Sequence, residues 1–524
     1  MTEPVLLVLG LAAAIAFAIV AKRLALPYPI VFVLAGTALA FVPGLPPVRI
    51  APDWIFLAIL PPLLFSGGWA TDWALFRANL RPILLLAVGL VVASTVAAAG
   101  LAAWLLPGLS WPAAFVLGAI VSPPDAVAAS ATFERFSLPR RIVAVLEGEG
   151  LVNDATALVI YAYAVVAVTT GAFSLPRAAG SFVVVGLGGI VLGIAVAWGV
   201  ELLAGWLRRH DLSDSLIENL IIIGAPYSAY LGGQALHVSG VLATVVAGIA
   251  VSRRSSVAFG PESRLIGINV WSLWIYVLNA FVFLAIGLQL RTIAAGSHVL
   301  ALLPAALAIS AVLIVVRLLW IFPTAVLPRV LSPGLRRRDP MPPWSWILVI
   351  GWSGMRGIVS LAAALALPLN FPQRDAIVFV TFVVIFATLV GQGLSLIPLL
   401  RWLRISADTE GDGERRELEV RVAALEAGLG AIARLERDDR APEEREILAR
   451  LRDEYENRIA HLRHHETPGA ASETAASAFD HEAQHAAVSA ERRAISILRD
   501  GGRIPDEIFR KVQYDLDLAE TRLF

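Results

Sequence analysis

Carboxylates stand inside an otherwise apolar stretch from Val145 to Thr169, which only Glu147, Glu149, Asn153 and Asp154 interrupt. An ionised side chain at the middle of a bilayer costs at least about 2.5–3.5 kcal/mol, so such residues usually mark an ion or proton path. The bland alternative is a helix that begins near Asp154, with its acids at the water boundary. It sits badly with the apolar run Ile142 to Leu146 upstream. Two further groups share the pattern. Asp125 follows Ser122, Pro123 and Pro124 in a second apolar run, and Arg356 lies within Gly351-Trp352-Ser353-Gly354-Met355-Arg356-Gly357 in a third. A carboxylate in a partly desolvated cavity can hold a proton. Once ionised, it can bind a small cation together with backbone carbonyls and water. If only the loaded Asp154 crosses between two access states, cation and proton move in opposite directions. Asn153 supplies hydrogen bonds without a second titrating charge, and one carrying carboxylate favours one-for-one, electroneutral exchange.

The neighbouring acids have other expected roles. Glu149 precedes Asn153 by four residues and shares its helix face, whereas Asp154 points elsewhere. Glu149 is therefore expected to pair with Arg356 as a structural ion pair, because its unpaired burial would be costly. Glu147 reads as a funnel residue or as a solvated boundary charge, and both readings stay open. Glu201 and Glu218 fall near span ends, where snorkelling or solvation is expected.

These residues need membrane-spanning helices to position them. The chain is 57% hydrophobic and 16% charged, whereas a soluble domain carries about 25% charge. Apolar runs near the length of about 20 residues that crosses hydrocarbon follow one another up to residue 404. Barrel strands would be shorter and alternate in polarity. The expected fold is therefore an all-α polytopic membrane protein with about thirteen spans, near 5–21, 28–42, 54–69, 82–106, 112–131, 142–170, 180–205, 214–232, 238–252, 268–290, 298–327, 344–368 and 375–400. The first follows acidic Glu3 rather than a basic segment and reads as a retained span. Eighteen basic residues fall in one set of alternate loops and four in the other. Cytoplasmic loops are the basic ones, which puts the N-terminus outside and the C-terminal tail in the cytoplasm of a cell with this protein in its plasma or inner membrane. There is no cysteine, so thiol metal sites and disulfides are excluded, and no cofactor or nucleic-acid partner is expected.

Pro123 and Pro124 remove backbone donors, and a break within lipid must face protein or water. Gly351, Gly354 and Gly357 around a buried arginine mark a second disruption. The two lie seven spans apart, as in two inverted six-helix repeats joined by a linker span. Paired interruptions of that kind point to a transport site at mid-membrane. Glycine packing and a proline kink would explain either one alone, but not charges at both. Residues 1–404 form the transmembrane domain, with core helices near 82–170 and 298–400 and the rest as scaffold. Residues 405–524 form a helical tail, with apolar stripes at Leu418, Val422, Leu425, Leu429 and Ile432 and at Leu448, Leu451, Tyr455, Ile459 and Leu462. These stripes fit a helical hairpin or a short coiled coil. A third tail helix is expected to end at Gly501-Gly502, and a last one to open at Pro505-Asp506. Five histidines in the tail (His461, His464, His465, His481 and His485) fit a solvated face better than a pH sensor.

At its charged motifs the sequence resembles the monovalent cation:proton antiporter family, in its sodium/proton exchanger branch. The resemblance spans residues 5 to 404. It rests on Glu149, Asn153 and Asp154 as Glu-x-x-x-Asn-Asp, on Ser122-Pro123-Pro124-Asp125-Ala126-Val127, on Gly354-Met355-Arg356-Gly357, and on Pro61-Pro62-Leu63-Leu64-Phe65. It implies a homodimer with a mobile six-helix core, Asp154 as carrier of Na+ (or K+ or Li+) and H+, Asp125 as supporting acid, and Glu149–Arg356 as a structural pair. Three positions depart from the family pattern. Ser66 stands where many relatives have an acid, Pro124 where many have threonine, and Gly150 where serine is common. They leave the ligand set, and with it the choice of cation, open; Ser66 still offers a hydroxyl. A cation channel, a K+-selective antiporter and an intramembrane enzyme are the competing readings. The enzyme lacks a recognisable catalytic dyad.

Overall fold

A computed structural model of the chain describes residues 3–43, 52–133, 136, 138–171, 174–294, 299–405, 410–436 and 442–464, with isolated positions between 490 and 512. The chain divides into two compact units, Met1–Ala407 and Asp408–Phe524, three residues beyond the polarity change in the sequence. The described elements are helical. In the first unit, besides short helical pieces at Leu290–Ala294, Val299–Leu302 and Pro333–Arg338, they are α1 (Glu3–Arg23), α2 (Tyr28–Ala40), α3 (Pro52–Ala70), α4 (Trp73–Ala78), α5 (Leu80–Leu105), α6 (Trp111–Val121), α7 (Ala126–Phe133), α8 (Arg140–Thr170), α9 (Leu175–Arg209), α10 (Ser215–Ala235), α11 (Gly240–Ala258), α12 (Pro261–Leu288), α13 (Leu303–Leu331), α14 (Trp344–Trp352), α15 (Ile358–Leu365) and α16 (Arg374–Leu403). Eight continuous or nearly continuous helices, with α6 and α7 taken together, are long and apolar enough to cross a membrane. The chain is an all-α polytopic membrane protein. Each apolar stretch expected from the sequence falls on a helix, or on two half-helices at 112–131 and 344–368.

Local chemistry explains the two splits. Ser110 caps α6 by accepting the Ala113 amide at 3.4 Å, and α6 stops where Pro123 and Pro124 can donate nothing. The chain restarts at Asp125, whose Oδ1 accepts the Val127 amide at 2.9 Å, the geometry of a helix N-cap. On the other side, α14 ends at Trp352 and α15 begins at Ile358, so Ser353 to Gly357 is non-helical. In α16 the turn Ala387–Gln392 is π-helical, a local widening that often accompanies functional sites.

At one end of the bundle, Asp339 ties three helices together. Its carboxylate accepts from Arg141 at the start of α8 (2.6 Å), Arg329 near the end of α13 (2.7 Å) and Arg81 at the start of α5 (3.4 Å). Burial works against the ionised carboxyl, but the hydrogen bonds and charges of Arg141 and Arg329 outweigh it and hold Asp339 below the usual carboxylate range. A depressed folded pKa stabilises the fold above the unfolded carboxyl value of about 3.9, and that stability is lost as pH falls through the lower folded value. Charge-assisted hydrogen bonds contribute about 1.5–3 kcal/mol, and partial exposure discounts this to about 1–2 kcal/mol. Asp339→Asn should therefore lower the melting temperature of the purified protein by a few degrees at pH 7. The gap to wild type should narrow on acidification below pH 4. An equal melting temperature at pH 7 would remove the hub from the account of stability.

Glu218 departs from its expected solvated position. It is buried at the start of α10, where it accepts from Ser213 Oγ at 2.5 Å and from the Gly260 amide at 3.1 Å. Glu201 pairs with Arg254.

The second unit contains α17 (Glu410–Leu435) and α18 (Pro442–His464). Arg463 meets Glu426 at 2.5 Å and Arg452 meets Glu436 at 3.2 Å, so the helices run antiparallel as a hairpin. Ile432 and Ile459 are the buried members of the two apolar stripes. The side chains of the five tail histidines and the helix limits expected at Gly501-Gly502 and Pro505-Asp506 lie outside the described residues.

Candidate functional site

The two breaks touch. The Asp125 amide donates to the Met355 carbonyl at 2.6 Å, so the unwound segment between α6 and α7 crosses the one between α14 and α15. Gly357 is required at the crossing, because a Cβ there would overlap the Asp125 carboxylate. Several of the carbonyls freed by the breaks have partners, as a membrane interior demands. Asn153 Nδ2 donates to the Pro124 carbonyl at 2.7 Å. Arg356 Nε donates to the Val121 carbonyl at 3.1 Å, and its Nη1 to the Gly354 carbonyl. Gln392 Nε2 donates to the Trp352 carbonyl at 3.0 Å. Thr388 Oγ1 accepts the Arg356 amide at 3.1 Å. Thr388 and Gln392 both come from the π-helical turn of α16, which explains why that turn lies beside the site.

Glu149 has a different partner from the one its spacing predicts. Its carboxylate takes both arms of Arg317, Nη1 at 2.5 Å and Nη2 at 2.8 Å, and both side chains are 1% exposed. Arg317 on α13 also donates to the Ile350 carbonyl, at 3.2 Å from Nε and 3.0 Å from Nη2. The expected Glu149–Arg356 pair is thus replaced by Glu149–Arg317. The backbone break carries Arg356 toward the α6 carbonyls, while α13 presents Arg317 end-on to α8. Arg317 stands in the apolar run 298–327, and its presence there was the available signal.

A cavity of about 310 Å³ opens beside the crossing. Asp125, Asp154, Glu147, Ser66, Pro123 and Pro124 line it, together with Asn279 and Ser360, which the sequence reading did not single out. Glu147, Gly150, Leu151 and Asp154 form its α8 wall. Their spacing is that of one helix stripe, so Glu147 and Asp154 share a face about 10.5 Å apart along the axis. Asp154 is half-buried and has no cationic partner among the described residues; both nearby arginines are engaged elsewhere. Asp125 spends Oδ1 on its helix cap and leaves Oδ2 without a hydrogen bond. Ser66 Oγ donates to the Leu63 carbonyl at 2.9 Å and keeps its lone pairs. Two expected site residues are not at the cavity wall. Asn153 is fully buried behind it, holding Pro124, because one residue along α8 rotates it away from the face of Asp154. Its Nδ2 is spent on Pro124, and its Oδ1 is left without a hydrogen bond. Ser122 is buried and donates to the Ala119 carbonyl at 3.2 Å.

Crossed broken helices, carboxylates on an internal cavity and a buried arginine at the crossing define a membrane transport protein of the ion-carrying class. Residues 10–402 match the family model described as sodium/hydrogen exchanger, transmembrane. The chain belongs to this family of monovalent cation:proton antiporters. It is 32% identical to an uncharacterised Na+/H+ exchanger of Mycobacterium tuberculosis, over 99% of this chain and 96% of the relative. It is 31% identical to the low-affinity Na+/H+ antiporter of Synechocystis, over 80% and 77% of the two chains. It is 34% identical to a sodium, potassium, lithium and rubidium/H+ antiporter of Bacillus subtilis, over 70% of this chain and 56% of the relative. Its fold is similar to that of the sodium proton antiporter of Methanocaldococcus jannaschii, with a TM-score of 0.56 and 18% identity over 75% of this chain and 95% of the other.

Proposed function

We propose that the protein is a secondary antiporter that exchanges Na+ for H+ by alternating access, with Asp154 as the shared carrier. The observation that carries this reading is an acid on a mid-protein cavity with no cation already paired to it. A permanently salt-bridged Asp154 could not trade a proton for a metal ion. Asp125 supports it from the opposite unwound segment, and Ser66 offers an oxygen. Asn153, Glu149, Arg317 and Arg356 hold the segments in place. One carrier makes the exchange electroneutral. Glu147, unpaired on the same stripe, serves as an entry acid on the side where α8 begins.

The reading extends to the surroundings. The basic loops place the tail in the cytoplasm and the N-terminus outside the cell membrane. The two breaks belong to inverted six-helix repeats within thirteen spans, and α9, with its exposed Val184, Val191 and Trp198, faces lipid or the second copy of a homodimer. K+ and Li+ are further candidate cations, and the relative from Bacillus subtilis is named for transport of both.

The test is a pH-sensitive dye assay in proteoliposomes holding an imposed pH gradient. Addition of Na+ should collapse the gradient at a rate that saturates with cation and does not change when a voltage is imposed. K+ and Li+ are scanned beside it. Cation flux without proton movement would favour a channel and sink the exchange reading.

A further inference from the structure

Among the groups around the cavity, Asn279 stands apart. It lies on α12, is 3% exposed, and lines the cavity opposite the α8 stripe. Ile275, one turn earlier, lines it too. Beyond Asn279, α12 packs closely on α2 of the scaffold: a Cβ on Gly36 of α2 would strike the Leu284 carbonyl, and one on Gly287 would strike the Val33 carbonyl. Asn279 makes no hydrogen bond to any described residue. Its amide is not among the buried groups closed off without a partner, so its polar end reaches the cavity. The other carboxamides at the crossing, Asn153 and Gln392, each donate to a carbonyl freed by a helix break. Asn279 meets no such need, so the fold gains nothing from its polarity.

We propose that Asn279 is a cation ligand presented by the fixed wall, and that it sets the apparent affinity for the transported cation in the access state seen here. Its amide oxygen supplies the kind of neutral, hard donor that a monovalent cation takes in place of water. The donor is needed because the other walls are short of side-chain oxygens: Pro124 and Gly150 carry none, and Ser66 offers only a neutral hydroxyl. A ligand on the fixed wall holds the cation in one access state and releases it when Asp154 moves away. This inference rests on Asp154 as carrier.

The test is Asn279→Leu, an apolar residue of similar size, assayed by proteoliposome exchange and by thermal unfolding of the purified protein with and without Na+. The Asn279 amide holds no described residue in place, so the melting temperature without Na+ should equal or exceed that of wild type. The apparent KM for Na+ should rise about tenfold, the effect of losing one polar contact, and Na+ should no longer raise the melting temperature as it does in wild type. Asn279→Asp is the converse variant and should lower the KM while slowing turnover, because a charged fixed wall retains the cation. A lowered melting temperature for Asn279→Leu without Na+ would show a structural amide and overturn the proposal, as would an unchanged KM in both variants. If wild-type protein exchanges no cation, the carrier reading itself fails. The unfolding arm still decides whether the amide is structural.

Discussion

Asp154→Asn should abolish cation:proton exchange while leaving the protein folded. The substitution keeps the shape of the side chain and its place on the α8 stripe, and it removes the carboxylate proposed to hold a proton and a metal ion in turn; Glu147, two turns nearer the start of α8, stays in place. The fold should not suffer, because Asp154 holds no other described residue in place. Removing a buried or half-buried carboxylate that has no partner relieves a cost rather than creating one. Exchange in proteoliposomes should fall to the protein-free rate, a loss of at least about a hundredfold, the order expected when a proton-transfer group is removed. The thermal unfolding curve should match or exceed that of wild type. Asp125→Asn makes the contrast: its Oδ1 still caps α7, so that variant should keep some exchange. Wild-type turnover in Asp154→Asn would sink the carrier assignment.

The parts of the site legible in the sequence were those written in local chemistry. Pro123 and Pro124 are followed at once by a helix-capping aspartate, so the unwound segment before Asp125 needed no structure, whereas α3 runs on through Pro61 and Pro62 and shows that two prolines alone do not end a helix. An apolar run gives a span, and the seven-residue spacing from Glu147 to Asp154 gives a shared face. What could not be read was rotation. The apolar stretch 298–327 contains Arg317, but nothing in its sequence tells which way α13 turns about its own axis. The apolar stretch 344–368 contains Arg356, but the break between Ser353 and Gly357 redirects it by an amount that only packing fixes. Two buried arginines and one available acid admit two pairings. Asn279 was illegible for the same reason: its helix has no nearby charge to announce which face meets the cavity. Asn153 shows the limit from another direction. Being next to Asp154 in sequence puts it about 100° around the helix, behind the wall rather than on it.

The Glu149–Arg317 pair carries the largest expected effect on stability. Both groups are 1% exposed, and two hydrogen bonds join them at 2.5 and 2.8 Å. Removal of one partner strands a buried charge, which costs about 3–5 kcal/mol, a large part of the 5–15 kcal/mol by which proteins are stable. Glu149→Gln should cost less than Arg317→Met, since the glutamine can still accept one hydrogen bond from Arg317. Arg317→Met leaves an ionised carboxylate with no counter-charge in contact, and it also strands the Ile350 carbonyl, which Arg317 otherwise satisfies twice. Arg317→Lys keeps the charge but loses the two-armed geometry, so it should fall between the two. The decisive variant is the double substitution Glu149→Leu with Arg317→Met. A buried ion pair exchanged for apolar groups of similar volume is often neutral in stability, so the double variant should recover most of the loss. It should stay about 1–3 kcal/mol short, because the Ile350 carbonyl remains unpaired. Thermal unfolding of the four proteins in detergent reads this directly. A double variant less stable than Arg317→Met would mean that the two residues do not act as a pair. A full loss of stability in Arg356→Met with none in Arg317→Met would restore the pairing that spacing alone predicts.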